Sequence, residues 1–317
     1  MEKKPMVVLT GPTAVGKTEI SIKLAKMING AIISADSMQI YKYMDIGSAK
    51  IMPQEMEGIK HYLVDELDPK DEFNVFVFKE KAKKALYEIY SNGQIPIIVG
   101  GTGFYIQGLL YDIDFVEQET DEAFRNSMYE FVQENGNEAL HDKLKEIDEA
   151  SYKTIHANNV KRVIRALEYY HLTGEPISAH NEKERAKESP YNFAYFVLND
   201  LRENLYKRID LRVDIMKDKG LLEEVKKLKE MGCTKDMVSM KGIGYKEILA
   251  HLDGDYSYEK AIEIVKQESR RFAKRQLTWF RREKDVIWIN KNEFDYSDKA
   301  ILDNIRGKLI EKRIVNC

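Results

Sequence analysis

Cysteine is almost missing from this sequence: Cys233 and Cys317 are the two thiols in 317 residues. Two thiols cannot complete a four-ligand zinc site or build a disulfide framework. Both are therefore expected free in a reducing compartment, the cytoplasm. There is no run of roughly eighteen uncharged apolar residues, so no membrane-spanning helix is expected. The opening MEKKPMVVLT runs straight into a strand-like stretch. It lacks the long apolar region and small-residue cleavage site of a secretory signal, and none is expected. Internal repeats and low-complexity tracts are absent as well. Neither charge sign dominates: 50 Lys and Arg face 53 Asp and Glu, for a net charge of −3. The sum hides a polarity along the chain. Asp112 to Glu149 carries thirteen acidic residues and three basic ones, whereas Arg270 to Lys284 carries seven basic residues and one acidic one. An acidic module and a basic one cancel in the total.

The length suggests two domains, or one with a large insertion. Apolar residues make up 43% and charged residues 32%, as in ordinary globular chains. Short apolar runs recur at 6–10, 31–35, 96–100, 193–198 and 285–289. They are continuous rather than alternating, as strands covered on both faces require. Helical stretches, including 17–28 and 76–91, lie between most of them. The alternation predicts an α/β fold, a parallel sheet flanked by crossover helices. The gap between the third and fourth runs is too long for one crossover. It holds the acidic stretch and the helical pattern NNVKRVIRALEYYHLTG, closed by Gly174 and Pro176. Residues 113–190 are thus expected to form an all-helical insertion domain, with 1–112 and 191–317 as the core domain. A further helix is predicted over about 257–283. At 100° per residue it puts Ala261, Val265, Phe272 and Trp279 on a packed face, and Lys266, Arg270, Lys274 and Arg281 on a basic face suited to phosphate contact.

The strongest local signal is GPTAVGKT, comprising Gly11, Pro12, Thr13, Ala14, Val15, Gly16, Lys17 and Thr18. It follows a strand, precedes a helix and fits the phosphate-loop pattern at every fixed position. The glycines let backbone amides turn toward an anion, and the helix adds its positive amino end. Lys17 supplies a point charge, and Thr18 can hold Mg²⁺ against phosphate oxygens. The loop does not identify the reaction. NTPases usually add a strand-end carboxylate, yet the third strand here runs into GGTGFY without one. Asp36, ending ISAD, is the one suitable acid, either as a metal ligand in a kinase-like enzyme or as a base facing an acceptor.

At these residues the chain resembles the bacterial-type tRNA dimethylallyltransferase (isopentenyltransferase) family. Seven blocks match in order: GPTAVGKT, ISADSMQIYKYMDIGSAK, HYLVDELDP, IIVGGTGFYIQGLL, NNVKRVIRALEYYHLTG, MKGIGYKE and RRFAKRQLTWFRR. The resemblance implies that the phosphate loop holds dimethylallyl diphosphate rather than ATP. It further implies that the five-carbon group passes to the N6 amine of the adenosine 3′ of the anticodon, releasing diphosphate. Lys17 and Arg208 would act on the diphosphate, Asp36 as general base, and Thr102 as an orienting group. The implied tRNA contacts are Asp36, Ser37, Met38, Gln39, Thr102, Arg125, Lys161, Arg162, Val163, Ile164, Arg165, Lys246, Arg271 and Arg275. Mg²⁺ is the implied cofactor, with Thr18 as its protein ligand, and the anticodon stem-loop the implied partner of a monomeric enzyme. Departures are small: Ser48 stands where the family has Thr, and Tyr62 where it often has His. The alternatives are a small-molecule or nucleotide kinase, a free-adenylate prenyltransferase, and an RNA-binding module without catalysis.

Overall fold

The computed structural model describes residues 3–114 and 121–316. Cys317 lies outside them, as does part of the acidic stretch, and Cys233 is buried. The chain forms two compact units, one of residues 1–110 and 190–317, the other of residues 111–189.

The larger unit is built on six strands: β1 (Lys4–Thr10), β2 (Gly30–Ala35), β3 (His61–Tyr62), β4 (Ile95–Gly100), β5 (Tyr191–Asn199) and β6 (Val286–Asn290). They form one sheet in the order β3-β2-β4-β1-β5-β6, and every pairing is parallel. Met6, Val7, Val8 and Leu9 of β1 are wholly buried, because helices cover both faces of the sheet. These helices are α1 (Lys17–Ile28), α2 (Val75–Ser91) and α3 (Gly103–Leu110) before the insertion. After it come α8 (Arg202–Asp218), α9 (Leu221–Glu230), α10 (Tyr245–Leu252), α11 (Tyr258–Phe280) and α12 (Asp298–Glu311). Side-chain caps set several starts: Asn74 accepts from the Val77 amide, Ser257 from Lys260 and Ser297 from Ala300. Among the described residues, no helix is long and apolar enough to cross a membrane.

The smaller unit contains α4 (Glu122–Ile147), interrupted by Gly136 at φ 83°, then α5 (Glu149–Thr154), α6 (Val160–Thr173) and α7 (Ile177–Arg185). Gly174 closes α6 in the left-handed conformation. Leu140 and Leu144 of α4 pack against Val163, Ile164, Ala166 and Leu167 of α6. This corrects one expectation. Val163 and Ile164, named above among the RNA contacts, have side chains 0% and 2% exposed in this core. Helical spacing sends them inward, while Lys161 and Arg162 are exposed.

Candidate active site

All the chemistry-bearing loops of the larger unit leave the carboxyl ends of the parallel strands, where open α/β sheets bind ligands. The phosphate loop follows β1. Gly11 has φ 147°, and a β-carbon there would lie 2.4 Å from the Leu198 carbonyl oxygen, so the loop runs hard against the end of β5. Gly16, at φ 97°, caps α1 and turns the chain into that helix. Lys17 Nζ donates to the carbonyls of Gly11 at 2.9 Å and Pro12 at 3.0 Å, spanning the loop. Burial pulls the Lys17 pKa down to about 8; Arg212 adds to the effect and Asp36 opposes it. Lys17 thus lies in the opposing fields of a cation, Arg212, and an anion, Asp36.

Asp36 ends β2. Its Oδ1 accepts from the amides of Met38 at 2.8 Å and Gln39 at 3.4 Å, which fixes the carboxyl plane. Its Oδ2 has no hydrogen bond among the described residues. Thr102 follows β4, with its amide on the Ala35 carbonyl at 3.2 Å and its own carbonyl accepting from Tyr105 as α3 begins. Gln276, 6% exposed on α11, ties the loops together. It accepts from the Thr13 amide at 2.9 Å and donates to the Gly101 carbonyl at 3.0 Å. Arg212 Nη1 approaches Thr13 Oγ1 at 3.4 Å. On the far wall, Glu224 accepts three successive amides, those of Asp45, Ile46 and Gly47, at 2.7–2.9 Å. The same carboxylate accepts from Tyr245 Oη at 2.9 Å, and that hydroxyl takes the Ser48 amide at 3.1 Å. In this way YMDIGSAK is pinned to MKGIGYKE.

These elements enclose a cleft of about 420 Å³, lined among others by Thr13, Asp36, Ser37, Met38, Thr102, Arg212, Lys246 and Arg275. A smaller recess of about 50 Å³ adjoins it, bordered by Lys17, Thr18, Ser34, Asp36 and Gln39. One space therefore joins a phosphate loop to a carboxylate and a hydroxyl from neighbouring strand ends.

A family profile described as IPP transferase matches residues 39–283. The chain belongs to the IPP transferase family. It is 59% identical over 312 residues to a tRNA dimethylallyltransferase of Lachnoclostridium phytofermentans, covering 98% of this chain and 99% of that one. The full-length tRNA isopentenylpyrophosphate transferase of Bacillus halodurans has a similar structure, with TM-score 0.73 and 44% identity over 98% of each chain. A eukaryotic dimethylallyltransferase acting on tRNA matches with TM-score 0.74 and 30% identity, over 90% of this chain and 74% of that one.

Of the residues this family resemblance nominates, the structure brings Thr13, Asp36, Ser37, Met38, Thr102, Lys246 and Arg275 onto one cleft. Lys17, Thr18 and Gln39 border the adjoining recess. Arg208, on α8, reaches the phosphate loop, its Nη2 3.2 Å from where a β-carbon on Gly16 would stand. Arg271 is on the surface, paired with Glu268 at 2.6 Å. In the smaller unit, Arg125 Nε and Arg165 Nη1 both bond the fully buried Glu168 carboxylate, at 2.8 and 2.9 Å. Burial opposes ionisation of Glu168, but the two guanidiniums hold its carboxyl below the usual range. The basic face predicted for α11 is partly consumed: Lys266 pairs with Asp214 at 2.6 Å, and Arg270 with Asp210. Its apolar face is rotated from the prediction. Ala261 and Val265 are buried, whereas Phe272 lines the cleft and Trp279 sits edge-on to Phe104, 6.3 Å between ring centroids. Sequence reasoning missed Arg212, Glu224, Gln276 and Lys291. The signal was present for Arg212 alone, one helical turn after Arg208.

Proposed function

We propose that the chain is a tRNA dimethylallyltransferase that uses this cleft for transfer from dimethylallyl diphosphate to the N6 amine of the adenosine 3′ of the anticodon. Family membership favours this reading over the kinase alternative. The observation that carries the chemistry is the single cleft in which phosphate loop, Asp36 and Thr102 meet. The allylic carbon–oxygen bond breaks, and its electron pair departs with diphosphate. The adenine nitrogen bonds that carbon and surrenders a proton. Leaving-group charge grows in the transition state, so the loop amides of Ala14 and Gly16, together with Lys17 and Arg208, stabilise it more than the ground state.

The exocyclic amine is a weak nucleophile until its proton is taken, and Asp36 is the base within the cleft. Its Oδ1 is committed to the Met38 and Gln39 amides, which leaves Oδ2 for the proton. Thr102 orients the acceptor. The hydroxyl oxygens of Thr18 and Ser34 around the small recess suit an oxygen-seeking divalent ion. Mg²⁺ held there by Thr18 would neutralise charge on the departing diphosphate. An adenine stacked in the anticodon loop must be extruded to reach such a cleft. Ser37, Met38, Lys246 and Arg275 line its path, and Arg125, Lys161, Arg162, Arg165 and Arg271 supply charge for the RNA backbone. The reading places the enzyme in the cytoplasm as a monomer.

The test is a transfer assay with labelled dimethylallyl diphosphate, Mg²⁺ and unmodified tRNA, with no ATP. Label should enter tRNA with the wild-type protein. With Asp36→Asn it should fall by about 10²–10⁴-fold, the usual contribution of a general base, while donor binding persists. ATP-dependent phosphate transfer with no label in tRNA would refute the reading.

A further inference from the structure

In spatial order, the strand ends carry Asp36 after β2, Gly101 and Thr102 after β4, the phosphate loop after β1, Asp200 after β5 and Lys291 after β6. The acceptor chemistry lies on the β2–β4 side of the phosphate loop. On the other side, Lys291 is only 7% exposed. Among the described residues no carboxylate lies within ion-pairing distance of its Nζ, whose one hydrogen bond is a long one, 3.5 Å, to the Val15 carbonyl. Lys291 Nζ and Arg208 Nη2 stand 3.3 and 3.2 Å from the point where a β-carbon on Gly16 would be, so two cations converge at the amino end of α1. The nearest carboxylate to Arg208 is that of Asp200, 3.9 Å away. Burial and then Arg208 lower the Lys291 pKa, against the weaker pull of Asp298, Asp200 and Glu19. A buried ammonium beside a guanidinium is unfavourable until an anion joins them.

We propose that Lys291, together with Arg208, binds the terminal phosphate of the allylic donor, the one farther from the transferred carbon. This rests on the donor site proposed above. Sheet order supplies the polarity. With the reacting carbon turned toward Asp36 and Thr102, the diphosphate runs across the phosphate loop toward β5 and β6. Its terminal phosphate then arrives where Arg208 and Lys291 converge. Lys291 makes and breaks no covalent bond. It supplies a charge-assisted hydrogen bond to an oxygen that gains charge as diphosphate leaves. A donor with one phosphate would not reach it, so Lys291 also favours diphosphates over monophosphates.

The experiment is calorimetric titration of the full chain with inorganic pyrophosphate and Mg²⁺, beside steady-state transfer kinetics, for wild type, Lys291→Met, Lys291→Gln and Lys291→Arg. Pyrophosphate affinity should fall about 10-fold or more in the Met and Gln variants, the equivalent of one charged hydrogen bond. The KM for donor should rise in parallel, with the KM for tRNA unchanged and Arg recovering most of the loss. The ligand-free Met variant should melt no lower than wild type, because a buried unpaired charge has been removed. Pyrophosphate affinity within about twofold of wild type would overturn the assignment. So would a loss accompanied by lower melting and an equal rise in the KM for tRNA, the signature of a purely structural lysine. Failure of wild type to bind pyrophosphate at all would overturn the donor-site reading along with it.

Discussion

Gln276→Met removes one side chain's hydrogen bonds while keeping its length and burial. Gln276 joins the loop after β1 to the loop after β4, through the Thr13 amide and the Gly101 carbonyl. A thioether replaces neither bond, so two backbone groups lose their partner. Each buried orphan costs about 1–3 kcal/mol. Thr13 and Gly101 both border the open cleft, where water can reach them, so the lower half of the range applies. The expected loss is about 2–4 kcal/mol in all, read as a lowered urea midpoint with unchanged slope. The catalytic effect should be larger in proportion. The two loops carry the diphosphate cradle and Thr102, and an ångström of misplacement costs about 10²-fold. kcat should therefore drop even at saturating donor and tRNA. A Gln276→Met protein with stability within about 0.5 kcal/mol of wild type and undiminished kcat would refute the claim that this bridge sets the geometry.

Three further outcomes follow from the packing and electrostatics. Below about pH 8 Lys17 is already charged, so binding diphosphate needs no proton; above it, binding must take one up. Donor affinity measured by calorimetry should then weaken as pH rises past 8, by up to ~10-fold per unit, and a Lys17→Met variant should lose that slope. Gly11→Ala drives a β-carbon toward the Leu198 carbonyl at a φ that side chains avoid. It should destabilise by about 1–3 kcal/mol, and an unchanged melting curve would refute the close approach. Glu168→Ala removes the buried carboxylate shared by Arg125 and Arg165. Because both guanidiniums keep partial solvent access, the loss should be about 1–3 kcal/mol rather than that of a fully buried pair. Faster amide exchange across 121–173 would register it, and protection equal to wild type would refute it.

The sheet was readable because five of its strands are continuous apolar runs, and burial on both faces leaves that mark whatever their neighbours. His61–Tyr62 was not: a two-residue strand has no pattern, and its pairing with Ile32 and Ile33 exists only once β2 is in place. The phosphate loop was readable because backbone geometry dictates its residues locally. Gln276 and Lys291 were not, because each looks like an ordinary polar residue in its own segment. Their roles arise where α11 and the end of β6 meet loops more than 170 residues away in sequence. The periodicity of α11 misplaced Phe272 because a helical wheel assumes an uninterrupted core, whereas this helix borders an open cleft. The run 161–165 carried both outcomes at once: charges outward, Val163 and Ile164 inward. A motif read as a block does not separate them.

The central strand β1 pairs with β5 over its whole length, Lys4 with Tyr191 through Thr10 with Val197. On a ribosome these partners appear far apart in time. Once β4 has emerged, β1 can pair on that side, but its other edge waits for the roughly 90 residues that separate Gly100 from Tyr191. At about 5–20 residues per second, that wait lasts roughly 5 to 20 seconds. Throughout it, an apolar strand edge is open to any passing strand. The seating of Gly11 against Leu198 waits as long. A nascent chain stalled within the insertion would hold every residue of GPTAVGKT and still lack one wall of its phosphate loop.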